Sequence, residues 1–154
     1  MANERDAARS AQDLAEHVRD GMLRNDRASK MLGMRIVDIG PGRATLTMTV
    51  RDDMLNGHDI CHGGFITLLA DSAFAFACNS RNVVTVAAGL TVDFLAPAHR
   101  GDVLTAVASE TSRAGRTGVY DMVVTNQDGA RIALVRGRSH SLTGRTVIPG
   151  KEPA

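Results

Sequence analysis

The 154 residues fit one domain, and 44% of them are apolar, enough for a core of its own. Eighteen Lys and Arg against seventeen Asp and Glu leave a net charge of +1, which excludes a broad nucleic-acid surface but not a local arginine-rich anion site. Trp is absent and aromatics make up 3%, so the core is built from aliphatic residues, Ala and Met.

In chain order, residues 1–10 are charged and lack an apolar h-region, so no signal peptide is expected. Residues 4–24 place Ala8, Ala11, Leu14, Ala15 and Val18 on a helical stripe, which predicts a surface helix with a thin apolar face. NDRASKMLG predicts a second short helix that closes at Gly33, with Asn25 or Asp26 as its cap. The period then changes. Ile36 and Val37 precede a Gly-Pro-Gly turn, and Ala44, Leu46, Met48 and Val50 alternate after it, as in a hairpin.

Next comes MLNGHDICHGGFITLLADSAFAFACNS, residues 54–80. Its first part is polar and glycine-rich, and its second reads as a buried helix. The apolar run from Gly64 to Cys78 falls short of the roughly 20 residues of a membrane span and has Asp71 at its centre. Cys61 and Cys78 form no CxxC pair, which suits a reducing cytoplasm, with Cys78 a small buried hydrophobe. His58 and His62 sit four apart in a loop without an HExxH pattern, so no metal site is expected. Four strands follow. The first alternates Leu90, Val92 and Phe94 before Pro97; the last two flank a hairpin turn at NQDG. RTVIPGKEPA reads as a mobile tail.

One helix, two strands, an apolar helix and four strands make an α+β chain. The strands must share one antiparallel sheet, and the apolar helix must cover it. A long central helix wrapped by a curved sheet is the hotdog architecture. The expected division is an N-terminal helical segment 1–30, a hotdog domain 31–142 and a flexible tail 143–154.

Asn56-Gly57-x-x-x-Cys61-His62-Gly63-Gly64, followed by Asp71 and then by TVDFLAP, GDVLTA and TGVYD, resembles the phenylacetate-pathway (PaaI) thioesterases of the hotdog superfamily. The resemblance runs from Met31 to about His140. It implies hydrolysis of acyl-CoA thioesters, aryl-acetyl ones first, with no cofactor beyond the coenzyme A of the substrate. It also implies a homodimer with active sites at the interface, assembled into a homotetramer. Related thioesterases often carry a serine near Ala87 and Ala88, so that residue's role does not carry over; Thr85 and Thr91 are the nearby hydroxyls.

The residues themselves suggest the chemistry. Asp71 shares a helical face with the small residues Gly64, Thr67, Ala75 and Cys78, which leaves room for a ligand, Thr67 being a candidate contact. An unpaired buried carboxylate is costly, so a site that attacks a carbonyl gives a reason to keep it, as nucleophile or as general base. The alternative is a salt-bridged or solvated Asp71. An amide of Gly63 or Gly64 at the helix N-terminus would bind the thioester oxygen, unless the glycines only make a tight turn. By resemblance, Asn56 would orient water or the carbonyl, and His62 would support the loop or the leaving thiol; Asn-Gly is equally a turn signal. Arg113, Arg116, Arg136 and Arg138 are candidates for the CoA phosphates, with Arg113, Arg116 and Arg138 preferred. His58 and His99 read as surface residues.

Three other readings compete. A hotdog dehydratase would need a Pro-rich segment near its His, which CHGG lacks. An acyl-CoA sensor would need a DNA-binding module larger than the short N-terminal helices. A fatty acyl-CoA thioesterase would differ only in its pocket.

Overall fold

The computed structural model describes residues 2–154, with side chains from Glu4 onward. Helix α1 (Ala2–Asn25) buries only a narrow stripe, centred on Ala15 and Val18, against the sheet and the central helix. Ala8 stays exposed, so the stripe packs only in the second half of the helix. Helix α2 (Arg27–Met31) is capped by Asp26, which accepts from Ser29 N at 2.9 Å. Gly33, at φ +65°, ends it in the left-handed region that glycine adopts freely.

Strands β1 (Arg35–Gly40) and β2 (Arg43–Thr49) form the expected hairpin, with a bulge between Ile36 and Asp38 that turns Val37 outward. After a short 3-10 turn, Asp52–Met54, and the Asn56 loop comes helix α3 (Gly63–Asn79). Strands β3 (Thr85–Phe94), β4 (Val103–Ala114), β5 (Thr117–Thr125) and β6 (Arg131–Ser141) complete a six-stranded sheet in the order β1-β2-β4-β5-β6-β3, antiparallel throughout. Although β3 follows the helix directly, it pairs with β6 and forms the far edge of the sheet. This is the hotdog architecture.

The sheet curls around α3, which touches every strand. Ile66, Leu69, Ala70, Ala73, Phe74, Phe76 and Ala77 face the core, and Cys78 is buried with them, within electrostatic reach of Asp71 one heptad back. Burial pushes the Cys78 thiol up to about 12, so it stays protonated, as expected of a small hydrophobe. The fit at the helix is close. A Cβ on Gly137 would lie 2.9 Å from the Phe74 ring, which packs on Tyr120 at a centroid distance of 5.2 Å. Tyr120 donates to Glu110 at 2.8 Å, and Arg81 holds the same carboxylate at 2.6 and 3.2 Å, which fixes the C-terminal end of α3 to β4 and β5.

Residues 143–154, which read as mobile, have defined anchors. Asn82, fully buried, donates to Ile148 O and Lys151 O and accepts from Ile148 N at 2.7 Å. Ile148 also packs on Gly21 of α1.

Candidate active site

Helix α3 begins where the Asn56 loop is stitched to its neighbours. Cys61 N donates to Ala98 O and His62 N to Met54 O, each at 2.8 Å. Asn56 builds the loop itself. Its Oδ1 accepts from His58 N at 2.9 Å and Ile60 N at 3.4 Å, and its backbone N–H donates to Ile60 O at 2.8 Å. The turn reading and the site reading of Asn56 are therefore compatible. The carbonyl end makes the turn, and the Nδ2 amide, without an acceptor among the described residues, remains free to donate.

The two glycines differ. Gly64 N–H donates to His62 Nδ1 at 2.9 Å, so the imidazole caps α3. Gly63 N–H has no acceptor among the described residues. At the positive end of the helix dipole, it is the amide available to a ligand oxygen. Because Nδ1 accepts, a neutral His62 carries its proton on Nε2, in solvent. Thr67 Oγ1 donates to Gly63 O at 2.8 Å; its hydrogen is taken inside the helix, which fixes the Gly63 peptide and leaves only acceptor capacity outward.

Asp71 is half-buried and makes no side-chain hydrogen bond or ion pair among the described residues. Burial pushes its carboxyl above the ordinary range. Gly64, Thr67, Leu68 and Ala75 share its partly open side of α3.

A cleft of about 550 Å³ opens at the head of α3, lined by Asn56, Ile60, Cys61, Gly63, Ile66 and Phe94 and closed by Leu95, Ala96 and Pro97. Asn56 and Gly63 thus meet in one cleft. Asp71, His62 and Thr67 do not line it. Asp71 lies eight residues beyond Gly63, about 12 Å along the helix axis.

The arginines are farther away. Arg113 and Arg116 flank the β4–β5 turn and are exposed. Arg138 lies five residues along β6 from Ala133, the partner of Phe94, or about 17 Å. Its guanidinium covers Gly89, where a Cβ would meet Nη2 at 2.6 Å. Arg136 is paired with Asp121 at 2.7 and 2.8 Å on the outer face of the sheet. Neither threonine supplies the missing serine at the cleft. Thr85 is buried and bonded to Val83 O and Ser141 Oγ, and Thr91 lies outside with Asp93 and Arg136.

Phe94, Ile60 and Cys61 are cleft residues that sequence reasoning missed. Phe94 shares the alternation of Leu90 and Val92, so it reads as core; nothing in a period-2 pattern marks where the strand outruns the helix. Burial pushes the Cys61 thiol up to about 11, so it is a protonated wall residue. No group of three or more metal-binding side chains occurs among the described residues, and no helix among them is long and apolar enough to cross a membrane.

An α3 helix gripped by a six-stranded sheet is a hotdog fold, with a free amide at its head and a lone carboxylate on its open side as candidate site groups. The profile of the thioesterase superfamily matches residues 58–133. Acyl-coenzyme A thioesterase PaaI of Escherichia coli (strain K12) is 48% identical over 123 residues, 80% of this chain and 88% of that protein. The solved E. coli PaaI protein of the phenylacetic acid degradation operon superposes with a TM-score of 0.86 at 45% identity, covering 88% of this chain and 97% of that one. A mutant of the phenylacetic acid degradation protein PaaI from Thermus thermophilus gives 0.73 at 36% identity, covering 76% and 100%. The chain belongs to the thioesterase superfamily, within its PaaI family.

Proposed function

We propose that the protein is an acyl-CoA thioesterase that hydrolyses phenylacetyl-CoA, its hydroxylated forms or related aryl-acyl-CoA thioesters to the free acid and CoA. The observation that carries the reading is the unsatisfied Gly63 amide in an apolar cleft, on the same helix as an unpartnered, half-buried Asp71. The name and operon of the E. coli relative supply the substrate class.

The thioester oxygen accepts from Gly63 N–H, whose dipole matches the negative charge that grows on that oxygen; one such donor is worth about 10²–10³ in rate. Asn56 Nδ2 donates to the same oxygen or holds the attacking water. Asp71 attacks the carbonyl carbon or takes the proton of that water. His62 Nε2–H supports the departing thiolate.

One carbonyl cannot meet Gly63 and Asp71 of the same helix at about 12 Å separation. In a two-fold dimer with antiparallel α3 helices, the head of one helix faces the middle of the other. Each site then takes Asp71 from one subunit and Asn56, Gly63 and His62 from its partner. The unpaired outer edge of β3, with Val86 at 47% and Leu95 at 51% exposure, supports pairing there. Antiparallel pairing of that edge carries the partner's Arg113, Arg116 and Arg138 toward this cleft, where their charge suits the CoA phosphates. Val103, Val107 and Leu134, exposed on the outer face of the sheet, support a second contact and hence a tetramer.

The test is free-thiol release from phenylacetyl-, benzoyl- and straight-chain acyl-CoAs. The expected result is fastest turnover of the aryl-acetyl thioester. Fastest turnover of palmitoyl-CoA would overturn the substrate assignment.

A further inference from the structure

Phe94 has an unusual position for an inward-facing strand residue. It shares the concave face of the sheet with Leu90 and Val92, yet it is 54% exposed. The reason is its place in the fold. It ends edge strand β3, opposite the small Ala133 of β6. Just beyond it, Leu95 N and Ala96 N both donate to Ile132 O, at 2.9 and 3.4 Å, so the chain turns away and leaves the ring over the cleft. The ring rests on Gly63: a Cβ there would meet Phe94 Cζ at 2.7 Å and both Cε atoms within 3.2 Å. Among the described residues lining the cleft it is the one aromatic side chain.

We propose that Phe94 is the specificity-determining residue of this thioesterase, the wall on which the aryl group of the substrate packs; this rests on the thioesterase reading above. The Gly63 N–H that receives the thioester oxygen and the glycine Cα that seats the ring belong to one residue. Placing the carbonyl therefore places the acyl group beside Phe94. An aryl-acetyl group holds its ring one methylene from the carbonyl, within the roughly 4.5–7 Å centroid range in which two rings attract through edge and face. A straight alkyl chain covers the same wall but gains nothing from the ring quadrupole. Ile60, Cys61 and Ile66 supply the remaining apolar surface without a competing polar group.

The experiment compares kcat/KM for phenylacetyl-CoA and hexanoyl-CoA, by free-thiol release, in the wild-type chain, Phe94→Leu and Phe94→Tyr, with thermal unfolding of each. Phe94→Leu keeps apolar bulk at a partly exposed site, so it folds, and it is expected to lower the phenylacetyl-to-hexanoyl ratio about tenfold. Phe94→Tyr keeps the ring and is expected to hold the ratio within about twofold. An unchanged ratio in Phe94→Leu, or an equal fall for both thioesters, overturns the role of Phe94 while the thioesterase reading stands. A wild type that favours hexanoyl-CoA overturns it as well. A wild type that releases thiol from neither substrate removes the thioesterase reading itself.

Discussion

Two turns in this molecule have the same wiring and different surroundings. At Asn56 and at Asn126 the side-chain Oδ1 accepts from the N–H groups two and four residues on, at 2.9 and 3.4 Å in the first and 3.1 and 3.0 Å in the second. In both, the backbone N–H donates to the carbonyl four residues on, and the residue three on is left-handed. That residue is Gly129, φ +79°, in the β5–β6 hairpin and Asp59, φ +60°, in the loop before α3. The hairpin turn is exposed at the end of a sheet. The Asn56 turn is exposed at its middle, but its ends, Asn56 and Ile60, line an apolar cleft beside the unpaired amide of Gly63. A turn motif thus folds a loop wherever it occurs; it becomes a site only where its spare donor meets a place for substrate.

The comparison fails first if the Asn56 loop serves no chemistry. Asp71→Asn is expected to lower kcat by about 10²-fold or more while acyl-CoA still binds, since the amide keeps the shape but can neither attack nor take a proton. Its pH behaviour carries a sign. Burial raises the carboxyl's folded-state value, so ionised Asp71 opposes folding above that value, and the opposition disappears as pH falls through it. If Asp71 attacks or takes a proton as proposed, it acts ionised, so the wild-type acid limb should lie above the ordinary aspartate range, and Asp71→Asn should raise Tm at neutral pH. A normal kcat in the variant would make Asp71 structural.

The second test separates the two halves of the asparagine side chain. Asn56→Asp keeps an acceptor for the loop and removes the Nδ2 donor. It should lower kcat/KM by about 10²-fold with little change in Tm. Asn126→Asp makes the same change in the hairpin and should leave kcat/KM unaltered. Equal activity in the two variants would mean the spare donor of Asn56 does nothing.

The smallest effect concerns the left-handed residue. Asp59→Gly should stabilise by about 1 kcal/mol, by relief of a strained conformation, and Gly129→Ala should destabilise by about as much. Chemical denaturation of both variants measures this; an unchanged midpoint for Asp59→Gly would mean its hydrogen bonds offset the strain.

Much of the fold was legible because period and punctuation agree from Ile36 to Ser141. The alternation of Ala44, Leu46 and Met48 and the near-continuous apolar run of α3 admit one arrangement. The position of β3 was not legible, because local pattern says nothing of which strand lies at an edge. At the site, the residue types of the Asn56–Asp71 stretch were legible and their roles were not. Sequence left Gly63 and Gly64 equivalent; the His62 cap on Gly64 separates them. It placed Thr67 among substrate contacts, where its hydroxyl hydrogen is bound to Gly63 O. It also gathered Arg138, which one chain holds about 17 Å along β6 from the partner of Phe94, with Arg113 and Arg116 at the β4–β5 turn.

That separation, like the distance from Gly63 to Asp71, is the reason for proposing a site built from two chains. Mixing Asp71→Asn subunits with Asn56→Asp subunits, under conditions that allow exchange, tests this most directly. In a mixed dimer one site receives both defects and the other neither. Random pairing makes about half the dimers mixed, so thiol release should recover to about a quarter of wild type. Recovery to no more than the average of the two pure variants would place each site within a single chain.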